Sequence, residues 1–182
     1  MNSSVADLIA EVIRKEGGYS NHPSDSGGET CWGITERVAR KHGYPGAMRD
    51  LPKPVAEAIY EQEFWYEPGF YDVSMISAAV ARELFDTGIN THPRRAAEFL
   101  QVSLNALNRQ EKDYPDVAED MDVGPATLAA LRAYLAARGK LGEAVLVRSL
   151  NNLQGAFYID LSRRRQKDEA FVFGWLANRV AL

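Results

Sequence analysis

Helical periodicity is lost over one long stretch of this chain, residues 18–35, and that interruption constrains the fold more than any other feature. Upstream, Val5, Leu8, Ile9, Val12 and Ile13 recur at helical spacing, which predicts an amphipathic first helix. Ser4 stands where a cap belongs, and Asp7 three residues on is a shorter stand-in for the capping-box glutamate. Gly17-Gly18 stops the helix. Asn21, Pro23, Ser24, Asp25, Ser26, Gly27 and Gly28 then form a dense turn cluster, flanked by Tyr19 and by residues 30–34, and predict a short hairpin or irregular β-loop. Beyond it helical patterns return at 35–42, 54–66, 77–89, 93–108, 125–138, 141–165 and 169–180. The breaks fall at 43–52, 67–74, 90–92, 113–124 and 138–140. The expectation is a mainly α, α+β protein, a helical bundle with a small β-hairpin or β-loop.

A chain of 182 residues can bury a sizeable core as one domain or as two closely packed halves. No internal repeat or flexible linker divides it, and residues 90–93 make the best soft boundary. A net charge of −4 argues against nucleic acid as a partner, because phosphate binding calls for clustered Lys and Arg. The one compact basic run, Arg163-Arg164-Arg165-Gln166-Lys167, ends a helical pattern and suits a helix C-terminus. Charged residues interrupt the N-terminal apolar positions, so neither a signal-peptide core nor a membrane span is expected there. Synthesis in the cytoplasm is the expectation.

The candidate chemistry lies in and beside the turn cluster. Glu16 occupies the last turn of the first helix, where the negative end of the helix dipole disfavours a second negative charge and favours a protonated carboxyl. Asp25 comes nine residues later and Thr30 five after that. Glycoside hydrolysis asks for two carboxyl groups, one giving a proton to the leaving oxygen and one ionised across the sugar ring. Extended chain would separate positions 16 and 25 by about 30 Å, against the ~5–9.5 Å such a pair requires, so the segment must fold back. The glycine pairs at 17–18 and 27–28 permit it. Each residue also has a plain structural use: Glu16 as a surface helix end, Asp25 as an Asx-turn, Thr30 as a β-branched strand residue. Tyr19 and Trp32 flank the turn and suit a sugar cleft, whereas Trp65 and Trp175 fall in helical patterns and suit a core. His22, His42 and His92 are too scattered for a zinc site, and the single Cys31 reads as a small packed thiol.

The run Glu16-Gly17-Gly18-Tyr19-Ser20-Asn21-His22-Pro23-Ser24-Asp25-Ser26-Gly27-Gly28-Glu29-Thr30-Cys31-Trp32-Gly33-Ile34-Thr35 closely resembles the signature of glycoside hydrolase family 108. Leu84-Phe85-Asp86-Thr87-Gly88-Ile89-Asn90 is similar to that family's Phe-Asp…Asn helix, although Thr91-His92-Pro93 stands where a glycine usually comes next. The segment from Ala97 to Leu104 with Gln101, together with Asp122-Val123-Gly124-Pro125-Ala126-Thr127-Leu128, resembles the predicted peptidoglycan-binding segment found after such regions. Phe173-Gly174-Trp175-Leu176-Ala177-Asn178-Arg179 is similar to the Gly-Trp…Arg ending.

The resemblance implies a lysozyme-like fold, with a catalytic region over 1–92 and a helical peptidoglycan-binding-like half over 93–182 packed against it. It implies an endolysin-type N-acetylmuramidase acting on peptidoglycan glycan strands, a monomer needing no metal or cofactor, which reaches the cell wall after release by another agent. Glu16 maps onto the family's catalytic glutamate. The spacing to Asp25 and Thr30 resembles the Glu, Asp, Thr triad of phage-type lysozymes, with one residue fewer before the threonine. Asp25 and Thr30 would then activate water, giving inversion, and Tyr19, Trp32, Asp86 and Asn90 would contact substrate. Two alternatives stay open: a lytic transglycosylase, which needs only the glutamate, and a non-catalytic wall-binding or secretion-assisting protein.

Overall fold

The computed structural model describes residues 5–21 and 28–180, without the side chains of Lys15, Glu16 and Arg179. The expected cap Ser4 lies outside them. Among the described residues are eight α-helices and one two-stranded sheet, so the expectation of a mainly α chain with a small β element holds. The chain divides into two compact units, Met1–Tyr66 and Glu67–Leu182.

In the first unit, α1 (Val5–Glu16) buries Ile9 and Ile13 and packs against α3 (Lys53–Glu61), whose Ala56, Ile59 and Tyr60 are buried. Helix α1 ends where expected, because Gly17 takes a left-handed φ of 78°, which glycine adopts without strain. Strands β1 (Thr30–Cys31) and β2 (Ile34–Thr35) pair antiparallel, Thr30 opposite Thr35 and Cys31 opposite Ile34. The Thr35 hydroxyl then caps α2 (Glu36–Lys41) by accepting from the Val38 N–H at 3.4 Å.

Helix α3 does not continue as α-helix to residue 66, as its pattern predicts. A π-helical turn, Gln62–Tyr66, takes over. Its wider winding shifts the register, which lets Trp65 enter the core while Glu63 meets Lys41 Nζ at 2.7 Å and His42 Nε2 at 2.6 Å. Burial pushes the Glu63 carboxyl up, but the two basic partners outweigh it and hold the group below its ordinary value.

The second unit is helical. The stretch 67–74, expected to be a break, contains α4 (Phe70–Ser74). Five residues are too few to show a periodicity, and the start is set by Gly69, whose φ of 76° lets its backbone lie beside Val123. Next come α5 (Ala78–Asn90), capped by the Ser77 hydroxyl, and α6 (Pro93–Leu107), capped by His92 Nδ1. Helix α7 (Pro125–Arg164) is interrupted at Gly139 (φ 59°, ψ −151°), inside the break expected at 138–140, and α8 (Glu169–Arg179) comes last. Leu84, Phe85, Leu100, Leu104, Leu131 and Leu146 are among the side chains at the centre of this unit.

Three amides, at positions 101 and 105 of α6 and at its C-cap, position 108, hold the connection to α7. Gln101 Nε2 donates to Asp120 Oδ1 at 2.7 Å and to the Asp122 carbonyl at 2.9 Å, while its Oε1 accepts from the Met121 N–H. Asn105 exchanges two 2.9 Å bonds with the Val117 backbone, and Asn108 donates to Asp116 and accepts from the Glu111 N–H.

One buried group stands apart. Glu83 on α5 is bonded to Asn151 of α7, yet its Oε1 is buried with no partner among the described residues. Burial pushes this carboxyl up to about 7, with Asn151 opposing, Asp86 adding to it and Arg82 opposing. An unfolded glutamate keeps an ordinary value near 4.5, so between these values the folded chain holds a proton that the unfolded chain has lost. Stability is therefore greatest at the acid end of that window and falls as pH rises through about 7, by up to about 3 kcal/mol. Glu83→Gln should remove this fall, and melting curves at pH 5 and pH 8 check it: the variant should melt above wild type at pH 8. Gly69→Ala should cost about 1–3 kcal/mol in urea unfolding, because the new methyl would meet the Val123 carbonyl at 3.1 Å on a left-handed backbone.

Candidate active site

The turn region is closed by backbone. Ser20 N–H donates to the Thr30 carbonyl and Thr30 N–H to the Ser20 carbonyl, both at 2.9 Å, forming an antiparallel bridge. A hydrogen-bonded pair of this kind sets its Cα atoms about 5.5 Å apart, whereas ten residues of extended chain would span about 33 Å. The chain therefore returns between Ser20 and Thr30, which pairs Thr30 with a residue only four positions past Glu16. Asp25 itself lies outside the described residues, as does the side chain of Glu16, whose backbone ends α1. The Thr30 hydroxyl is half-buried and lies 3.5 Å from the Ser20 carbonyl.

A second, tighter turn comes next, and sequence reasoning missed it. Trp32 and Gly33 join β1 to β2 with φ of 54° and 77°, the double positive φ of a type I′ hairpin. Tryptophan is a strained choice there, and the turn is normally signalled by Asn-Gly or Asp-Gly. Two bonds fix it: the indole Nε1 donates to the Leu51 carbonyl at 2.9 Å, and the Trp32 carbonyl accepts from the Tyr60 hydroxyl at 3.2 Å. Cys31 beside it is buried, and burial pushes its thiol up.

Trp32 lines an open cavity of about 600 Å³ that also reaches Gly17, the residue after Glu16, and charged side chains of α1 and α3. Tyr19 is 39% exposed, and the Arg49 guanidinium sits 5.7 Å from its ring centroid. Trp65 is buried and Trp175 packs against Tyr158 and Phe171. Asp86 and Asn90 belong to the second unit, one turn apart on α5, where Asn90 Nδ2 donates to the Asp86 carbonyl at 2.9 Å and to its carboxylate at 3.2 Å. They are thus joined to each other, Asp86 exposed and Asn90 half-buried. Nothing in the sequence signals the His42–Glu63 pair, whose members are far apart in the chain and meet only through the π turn.

Residues 9–91 match the family described as Glycosyl hydrolase 108, a range that contains Glu16, Asp25, Thr30, Trp32 and Asn90. This part of the chain belongs to glycosyl hydrolase family 108. Residues 95–180 match the family described as Predicted Peptidoglycan domain, so the two matches together span most of the chain. The protein is a glycoside hydrolase directed at peptidoglycan. No curated protein matches it. Among solved structures it is similar to one titled "Structure of Brucella abortus SagA", with a TM-score of 0.59 and 23% identity over 97% of each chain, which shows a shared fold.

The hairpin offers a test of its own. Trp32→Asn should keep the turn, since asparagine tolerates positive φ, whereas Trp32→Val should lose about 1–2 kcal/mol more in urea unfolding despite its apolar side chain. Equal midpoints would mean that the backbone at residue 32 carries no strain.

Proposed function

We propose that this protein is an endolysin-type N-acetylmuramidase that cleaves the β-1,4 bond between N-acetylmuramic acid and N-acetylglucosamine, with Glu16 as general acid. The observation that carries this reading is the cavity of about 600 Å³ reaching both Gly17, the residue after Glu16, and Trp32. A carboxyl at the last turn of α1 meets the negative end of the helix dipole, which favours its protonated form, and a protonated carboxyl can give its proton to the glycosidic oxygen.

Asp25, with the Thr30 hydroxyl, directs water at the anomeric carbon from the opposite face, so the product inverts. Support for this comes from the Ser20–Thr30 bridge, which draws together the two ends of the segment that carries Asp25. Tyr19 and Trp32 stack on sugar rings, and Asp86 and Asn90 offer hydrogen bonds to sugar hydroxyl and acetamido groups. The helical half beyond residue 93 holds the wall. The enzyme works as a monomer, reaching its substrate once another agent opens the membrane.

Turbidity loss of purified peptidoglycan tests the acid. Glu16→Gln should slow it by about 10²–10⁴-fold, with the melting curve unchanged. NMR of fresh product should show the inverted anomer, and mass spectrometry should find hydrolytic products. A Glu16→Gln variant that clears the wall at the wild-type rate refutes the reading, and products lighter by about 18 Da, one water, assign the protein to the transglycosylases.

A further inference from the structure

Helix α8 lacks the polar outer face that a surface helix normally shows: no charged residue stands between positions 170 and 178. Its inner side packs on α7, where a methyl added at Gly155 would touch Leu176 and Val180 at 3.7 Å. Its outward positions are Ala170, Phe171, Phe173, Ala177 and Asn178, and the Asn178 amide is turned back onto the Gly174 carbonyl at 2.9 Å. Phe171 stacks on Trp175 yet stays 57% exposed, and Phe173 is 82% exposed. A helix that is apolar on every side is one that protein or lipid covers.

The chain leading into α8 has the opposite character. Arg163, Arg164, Arg165 and Lys167 are all exposed. Arg164 pairs with Asp160, whereas the other three have no ion-pair partner among the described residues. Only one exposed carboxylate, Glu169, stands between them and Phe171, since Asp168 is buried. The helix dipole accounts for cations in the last turn of α7, but its reach ends there and Lys167 lies beyond it. In a chain of net charge −4, this end presents three unpaired cations beside an apolar face.

A second copy of the chain is a poor cover for that face. Two rings so exposed show roughly 280 Å² to water at ~200 Å² a ring, well under the ~800 Å² per partner that a stable dimer buries. A lipid surface needs no shape match, admits phenyl rings at its headgroup boundary and offers phosphate to the cations. No described helix is long and apolar enough to cross a membrane, and α8 has 11 residues, so it would lie along the surface.

We propose that α8 and the basic run before it dock on an anionic lipid bilayer, Phe171 and Phe173 entering the boundary between headgroups and acyl chains while Arg163, Arg165 and Lys167 meet lipid phosphate. Docking of this kind does not depend on which bond the first unit cleaves.

Sedimentation of the full chain with vesicles of mixed phosphatidylethanolamine and phosphatidylglycerol, against vesicles of phosphatidylcholine alone, tests it. Wild type should bind the anionic vesicles about tenfold more strongly or better, and less so as salt rises. Phe171→Ser/Phe173→Ser and Arg163→Gln/Arg165→Gln/Lys167→Gln should each weaken that binding by about tenfold or more, with melting curves unchanged. A third variant, Phe173→Trp, keeps an aromatic ring in place, and its added emission over wild type should shift to the blue on anionic vesicles and be quenched by lipid brominated in the acyl chain. Wild type that binds neither vesicle, variants that bind as wild type does, or a Phe173→Trp spectrum that vesicles leave unchanged overturns the proposal. Sedimentation velocity and pelleting with purified peptidoglycan, run on the same proteins, identify the other occupants: self-association or wall binding that Phe171→Ser/Phe173→Ser abolishes, without vesicle binding by wild type, gives the face to a second copy or to glycan and overturns docking on lipid.

Discussion

Two backbone hydrogen bonds between Ser20 and Thr30 organise the first unit from β1 to α2. By fixing where the chain returns, they set the direction of β1, and β1 sets the register of β2 through Thr30–Thr35 and Cys31–Ile34. The tight turn that this register requires puts Trp32 at a positive φ, and its indole and carbonyl are then caught by Leu51 and Tyr60. Thr35 ends the sheet by capping α2. A strand pair of two residues a side has too little area to stand alone, so these side-chain bonds to the surrounding chain do what sheet length does elsewhere.

The helical part of this architecture was legible because it depends on periodicity and punctuation. Gly17 stops α1, Gly139 interrupts α7 and Pro93 opens α6 at positions where the sequence marks them. The hidden parts depend on contacts distant in sequence. Helix α4 is little more than a single turn without a visible face, the π turn exists for Trp65 and Glu63 together, and the Trp32–Gly33 turn lacks the usual asparagine or aspartate. The site was legible in a different way. Spacing required the chain to double back between Glu16 and Asp25, but only the long signature made Glu16 a candidate acid.

The second unit is held by a different kind of contact. Its centre is apolar, yet half-buried Glu83 carries one buried oxygen unmatched among the described residues and is held by Asn151 across the α5–α7 seam. A second bond between these helices, from the Ser77 hydroxyl to Glu143 at 2.6 Å, lies further toward the start of both. The two bonds together run α5 parallel to the later half of α7. Polar groups therefore index the register of helices whose attraction is otherwise non-directional.

The amides of α6 act as a ruler. Gln101, Asn105 and Asn108 stand one helical turn apart and grip the backbone or short acidic side chains between residues 111 and 122. Side-chain amides that pair with peptide groups copy the pairing of a strand, so the path of this connection depends little on which residues it displays to solvent. Its outward positions are free to diverge while its length is not, because one inserted residue would put every later anchor out of step with the helix that measures it.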